Sequence, residues 1–205
     1  MKSYNGVPLL YTDFKVLKVI ESLVGEPIYF TQFYQDNGID EVDIFNAYFA
    51  ENGQIINLML ILPVFEIPKE ITELKALKTL FIKGNGKTTL PKSLESLVSL
   101  KDLSLEDFNL EMIPESIGYL EHLEILRFGN FDNLNFPKTM KNLKSLRIFG
   151  LYESVLKNIP EFVLEIEHLN EIDMWSSQLK KTSEATKIFD LLQKKGIKVK
   201  KPKWI

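Results

Sequence analysis

Five of the nine prolines in this 205-residue chain fall at 68, 91, 114, 137 and 160, a spacing of 23 residues without drift. Each follows a large apolar residue, in turn Ile67, Leu90, Ile113, Phe136 and Ile159. A fixed period of roughly 20–50 residues marks a stack of like units, each too small to bury its own apolar face. Such a chain builds its core between neighbouring turns and works by presenting an extended surface, not by enclosing a reaction.

The same frame recurs between prolines. One turn reads Leu77-x-x-Leu80-x-Ile82-x-x-Asn85, then Leu90-Pro91-x-x-Leu94-x-x-Leu97. The next reads Leu100-x-x-Leu103-x-Leu105-x-x-Phe108, then Ile113-Pro114-x-x-Ile117-x-x-Leu120. A shortened turn with Leu58, Leu60, Ile71 and Leu74 precedes them, and a half turn with Leu169, Ile172, Met174 and Leu179 follows. Alternation such as Leu103-x-Leu105 sends apolar groups to one side of a short strand. Proline then opens a helical segment, where its fixed φ is preformed and its missing N–H costs nothing. Apolar spacing of three fits a 3₁₀ stretch or a brief α-helix, and the sequence leaves both open. Six or seven parallel strands result, stacked about 4.8 Å apart.

Over residues 55–180 this pattern resembles the leucine-rich repeat family in its 23-residue form, similar to the repeats of Ras-binding and polarity scaffold proteins. The resemblance implies an α/β right-handed solenoid, with a curved parallel sheet on the concave face and short helices or 3₁₀ turns on the convex face. It also implies an asparagine after each strand, bonded to neighbouring backbones. Only Asn85 fits; Phe108, Phe131, Ser154 and Ser177 hold the other equivalent positions. The expectation is therefore an aromatic stack of Phe108 and Phe131, with water satisfying the freed backbone groups.

A solenoid needs sealed ends, which divides the chain into an N-terminal cap (1–54), repeats (55–180) and a C-terminal cap (181–205). Asp13 is placed to cap a helix carrying Phe14, Leu17, Ile20, Leu23 and Val24, stopped at Gly25-Glu26-Pro27. Apolar runs at 44–50 and 54–60 flank Glu51-Asn52-Gly53, a hairpin signal feeding the first repeat strand. The stretch Tyr34–Gly38 reads as loop. Ser183, where the next proline would fall, opens a helix with Ile188, Phe189, Leu191 and Leu192, stopped by Gly196. Ile197-x-Val199 follows as a final strand among Lys198, Lys200, Lys201 and Lys203, which keep the edge from pairing with another chain. The alternative use of those lysines is contact with an anionic membrane or nucleic acid.

There are no cysteines, whereas extracellular proteins of the family resembled commonly close their ends with disulfides, which implies a reducing compartment. The first six residues lack a signal-peptide core, and no apolar run is long enough to span a membrane. The expectation is a single-domain, bacterial-like intracellular protein, cytoplasmic, and monomeric or weakly self-associating. After residue 175, nine lysines against Glu184 and Asp190 leave +7, so the remainder carries −10 of the overall −3. An acidic body argues against a nucleic-acid-binding solenoid.

Apparent chemistry dissolves into the repeat. Gly86-Lys87-Thr88 has the end of a phosphate-binding loop, but Phe81 stands where that motif needs glycine, and Leu90-Pro91 ends the turn before a helix can follow. His122 and His168 lie two periods apart in the same Glu-His-Leu slot, too far apart to share a metal. No nucleophile–base set or zinc spacing is present, so neither catalysis, cofactor nor metal is expected.

What remains is the concave face, where residues flanking the inward pair of each strand project. One column is Asn57, Thr79, Asp102, Ile125, Ile148 and Glu171; the central one is Met59, Phe81, Ser104, Arg127, Gly150 and Asp173; the third is Ile61, Lys83, Glu106, Gly129, Tyr152 and Trp175. Aromatic and aliphatic residues beside charges resemble the composition of binding hot spots. The expected contact residues are Phe81, Asp102, Glu106, Ile125, Arg127, Ile148, Tyr152, Asp173 and Trp175. Met59, Ile61 and Phe81 are also candidates for burial at the N-terminal cap. The expected function is a non-catalytic protein–protein interaction module for a protein or peptide ligand. Two alternatives are an effector or signalling regulator released without a classical signal, and an enzyme using the acidic concave face.

Overall fold

Each repeat can satisfy its backbone only through its neighbours, and the observed sheet is the outcome. The computed structural model describes residues 1–31, 46–63, 67–110, 112–131, 134–200 and 202–205; the loop expected at Tyr34–Gly38 lies outside them. Two short strands, β1 (Lys2–Tyr4) and β2 (Val7–Leu9), form an antiparallel pair ahead of helix α1 (Tyr11–Val24). Then come β3 (Tyr29–Phe30), β4 (Ala47–Glu51) and β5 (Gln54–Ile61). The repeat strands are β6 (Thr79–Thr88), β7 (Asp102–Leu110), β8 (Ile125–Gly129), β9 (Ile148–Tyr152) and β11 (Glu171–Asp173), with the two-residue β10 (Val155–Leu156) between the last two. The chain closes with β12 (Gln178–Leu179), α2 (Ser183–Lys194), β13 (Lys198–Lys200) and β14 (Lys203–Trp204).

Nine of these form one sheet, in the order β13-β11-β9-β8-β7-β6-β5-β4-β3. From β5 to β13 every pairing is parallel. The Asn52-Gly53 hairpin occurs as expected, with both turn residues at positive φ (51° and 78°). Its second strand does more than feed the stack: β5 pairs antiparallel with β4 on one side and parallel with β6 on the other, so it is itself the first repeat strand. Asn5-Gly6, at φ 48° and 87°, makes an equivalent turn between β1 and β2.

Between strands, the ambiguity of the proline segments resolves to 3₁₀ turns at Lys69–Glu73, Leu94–Ser96, Glu115–Tyr119, Lys138–Asn142 and Glu161–Leu164. Pro68, Pro114, Pro137 and Pro160 each stand immediately before one, at φ between −60° and −69°. Bonds of i to i+3 type close them, as from Ile117 N to Pro114 O (3.1 Å). A 23-residue period leaves room for about one tight turn before the chain returns, and 3₁₀ geometry aligns residues at the apolar spacing of three.

The core runs unbroken from Tyr4 to Ile197. Its middle is aromatic: Phe149 makes edge-on contacts with Phe128 (6.3 Å) and Phe162 (5.3 Å), and Phe136 touches all three. Phe131 also packs against Phe128, at 5.7 Å, so it joins this cluster; the Phe108 side chain lies outside what the structure describes. At two of the turns a serine hydroxyl, and not the expected water, satisfies the backbone. Ser154 Oγ accepts from Phe131 N (3.0 Å), and Ser177 Oγ accepts from Ser154 N (3.1 Å) while donating to Leu151 O. Two serines therefore do what asparagine does elsewhere in the family resembled, with a side chain short enough to fit beside the phenylalanines.

One cap detail differs from expectation, and two others add to it. Asp13 lies inside α1, whose N-cap is Leu10 with no side-chain bond. Its buried carboxylate instead accepts from Ile55 N (2.7 Å), joining the helix to β5. Burial pushes that carboxyl above its ordinary range, partly offset by the Ile55 N–H. At the other end α2 does begin at Ser183, but Thr182 is the cap, its hydroxyl accepting from Ala185 N (2.9 Å). Lys198 and Lys200 also do more than guard an open edge: they pair with Glu171 and Asp173 at 2.8–3.0 Å.

Candidate functional site: the concave sheet face

The strand register aligns the three expected columns residue by residue. Asn57, Thr79, Asp102, Ile125, Ile148 and Glu171 are successive partners. So are Met59, Phe81, Ser104, Arg127, Gly150 and Asp173, and then Ile61, Lys83, Glu106, Gly129 and Tyr152. β13 extends the first two columns with Lys198 and Lys200. Trp175 follows the end of β11, its carbonyl accepting from Glu153 N (3.2 Å).

The face divides along its length. At the N-terminal end Met59 pairs with Ala47 of the hairpin, and Met59 and Phe81 are only 8% and 4% exposed. Phe81 therefore belongs to the closed corner where cap and stack join, and it leaves the accessible set. In the middle the polar residues bind one another. Arg127 Nη1 donates to both oxygens of Asp102 (3.1 Å each), and Ser104 Oγ donates to the same carboxylate (3.3 Å). Burial raises the Asp102 carboxyl, with Arg127 and Ser104 pulling the other way. Lys83 bridges Asp107 (2.9 Å) and approaches Glu106 (4.0 Å), while Asn130 Nδ2 donates to Asp107 (2.8 Å). Burial pushes Asp107 up, but Asn130 and Lys83 together bring it below the usual carboxylate range.

Tyr152 crosses two repeats to donate its hydroxyl to Glu106, and burial together with that bond pushes the phenol well above its ordinary value. The crossing needs Gly129: a Cβ there would sit 2.4 Å from the Tyr152 ring. Gly150 similarly makes way for the Arg127 stem, 3.0 Å from where its Cβ would lie. Both glycines that look like open space in sequence are filled by a neighbour's side chain.

Toward the C-terminal end the face stays open. Trp175 is 62% exposed, and Ile125, Ile148, Arg127 and Tyr152 are half-buried. Asp173 is tied to Lys200. A further feature escaped the sequence reading. Asp107, Asn130, Glu153 and Ser176, spaced by 23, all have left-handed backbone (φ 53–60°) and form a turn column beside the third strand column. Its signal in the sequence is the 23-residue spacing of these polar positions. Among the described residues, no group of three or more His, Cys, Asp or Glu is placed to hold a metal ion.

These features define a leucine-rich repeat solenoid. Residues 68–196 match the family described as leucine-rich repeat region, well over half of the chain, and the protein belongs to the leucine-rich repeat family. Solved structures of similar fold include a plant ice-binding protein (TM-score 0.60, 19% identity over 85% of this chain), of which this chain spans 58%. They also include the ectodomain of the receptor kinase SOBIR1 from Arabidopsis thaliana (TM-score 0.55, 20% identity, 83% of this chain and 96% of that one). A third is the plant peptide hormone receptor RGFR1 in complex with RGF2 (TM-score 0.50, 23% identity, 68% of this chain and 22% of that one). At these identities the likeness is one of fold. No curated protein sequence matches. No helix among the described residues is long and apolar enough to cross a membrane.

Proposed function

We propose that the chain is a non-catalytic binding module whose concave sheet, from β8 to β11, docks a protein or peptide. The observation that carries this reading is Trp175, 62% exposed beside half-buried Tyr152 and across the sheet from half-buried Ile125 and Ile148. Scattered exposed apolar residues are ordinary, but a large aromatic grouped with aliphatics on a rigid face has the makeup of an anchor site. The internal pairs Asp102–Arg127 and Glu106–Tyr152 fix the surroundings, so little side-chain freedom is lost on docking. A peptide complex of one structural neighbour, RGFR1, is consistent with this use of the fold. The division into caps (1–54 and 181–205) and repeats (55–180), with Ile125, Arg127, Ile148, Tyr152 and Trp175 as contacts and Asp102, Glu106 and Asp173 as their frame, is part of the same proposal. The absence of cysteine supports a reducing, cytoplasmic setting.

A displayed library of random peptides, selected on the wild type and counter-screened on a Trp175→Ala/Ile148→Asp double variant, tests it. The expected result is a set of binders that lose most of their affinity for the double variant while its thermal unfolding stays cooperative. Binders indifferent to both substitutions would remove the concave face from consideration.

A further inference from the structure

Resting on that docking reading, we propose that the concave face takes an extended partner segment in which apolar and basic residues alternate. The first and third columns lie four residues apart along each strand, about 13 Å. The central column between them has no side chain of its own at Gly150, where the Arg127 stem packs with its guanidinium held to Asp102. An extended segment laid along that column projects successive side chains to opposite sides. One side meets Ile125 and Ile148. The other meets Glu106, Asp107 and Glu153, with Tyr152 and Trp175 among them.

The charges on that second side do not balance. Lys83 is the one cation that bridges these carboxylates among the described residues, and it is engaged by Asp107 and Glu106. Its pKa is raised chiefly by the bond to Asp107, against a lowering by burial, and more weakly by Glu106 and Glu153. Glu153 is thus within electrostatic reach of this group, yet among the described residues its carboxylate makes no ion pair or hydrogen bond. At the C-terminal end Lys198 and Lys200 already neutralise Glu171 and Asp173. The surplus negative charge is therefore local to the side beside Tyr152 and Trp175. A basic side chain placed there gains a carboxylate and an aromatic face. An acidic one meets like charge, and an apolar one strips water from Glu153 without pairing it.

Fluorescence anisotropy with labelled synthetic nonapeptides tests this at about 0.15 M salt, where weak surface steering is screened. Three probes suffice: alternating Leu and Lys, alternating Leu and Glu, and alternating Ser and Lys. The Leu/Lys peptide should bind the wild type best, and Glu153→Lys should weaken it roughly tenfold while strengthening the Leu/Glu peptide. Glu153→Gln, of similar size, should give a smaller loss in the same direction. Ile148→Asp should weaken the Leu/Lys peptide, and the Ser/Lys peptide should bind poorly throughout. Equal binding of Leu/Lys to wild type and Glu153→Lys, or tighter binding of Leu/Glu to the wild type, would overturn the alternating pattern. If acidic or uncharged peptides bind in a manner lost with Trp175→Ala/Ile148→Asp, this inference fails while the docking face stands. If no peptide responds to any of these substitutions, both fail.

Discussion

Glu153 holds φ at 53°, in the left-handed region where its Cβ crowds the following carbonyl. Its column-mates Asp107 and Asn130 suit that geometry through their short polar side chains, and Asn130 uses its own to bond Asp107. Glutamate has neither advantage, and its carboxylate gains no partner within the described residues. The turn geometry shared by the four positions of this column imposes that conformation, and the glutamate side chain does not offset its cost. Glu153→Gly should therefore stabilise the fold by about 1 kcal/mol, the relief of left-handed strain less the added freedom of the unfolded chain. That corresponds to a rise of roughly 2–4 °C in Tm for a chain of this size. The same variant should bind basic segments less tightly. A calorimetric melt showing no rise would mean that the surrounding turn, not the residue, sets this conformation. Tyr152 shows why single residues were harder to read from sequence than columns were. Its column assignment follows from period alone, but its bond to Glu106 depends on a ring passing over Gly129, a long-range contact that no local pattern encodes.

Within one repeat, the strand, the tight turn and the proline between them follow from apolar spacing, and this level was legible almost throughout. The choice of 3₁₀ over α was not, because both place residues three apart on one side. Nor was the way the post-strand turn satisfies itself. The family resembled suggested an asparagine, and its loss at Ser154 and Ser177 suggested water, whereas the serine hydroxyls reach the next repeat directly. This short ladder binds three successive repeats through buried groups: Ser154 and Ser177 are 2% and 0% exposed. Ser177→Ala should leave the Ser154 N–H and the Leu151 carbonyl without that partner, at a cost of about 1–3 kcal/mol. Ser154→Ala should cost a similar amount. The double variant should fall short of their sum, since both belong to one network. Urea denaturation of the three variants gives the comparison; strict additivity would mean that the two bonds act independently.

Across the whole molecule, the strand pairings join neighbouring layers and the Tyr152–Glu106 bond reaches one layer further, so stability is close to a sum over repeats and their interfaces, and the ends are the first places to open. The N-terminal end is held by α1, by the buried Asp13–Ile55 bond and by the hairpin that shares β5 with the stack. The C-terminal end depends more on charge. β13 is a three-residue edge strand whose Lys198 and Lys200 fold back onto Glu171 and Asp173. Bonds from Lys200 and Lys198 hold the Glu171 carboxyl below its ordinary value despite some burial. A carboxyl depressed in the folded state contributes stability above its unfolded pKa and loses it as pH falls through the folded value. The C-terminal cap should accordingly loosen as pH falls from the usual glutamate value, about 4.3, through the lower folded value, before the repeats do. The pairs are partly exposed, so the effect is local and weakened by salt. Hydrogen exchange, corrected for intrinsic rates, should show peptides across residues 195–205 losing protection on acidification while those across β7 to β9 keep theirs. In a Lys198→Gln/Lys200→Gln variant the cap should already exchange faster at neutral pH, with little further change in acid. Uniform loss of protection along the chain would instead mean that the solenoid opens as one cooperative unit, and that the terminal ion pairs are incidental to how its C-terminal end is sealed.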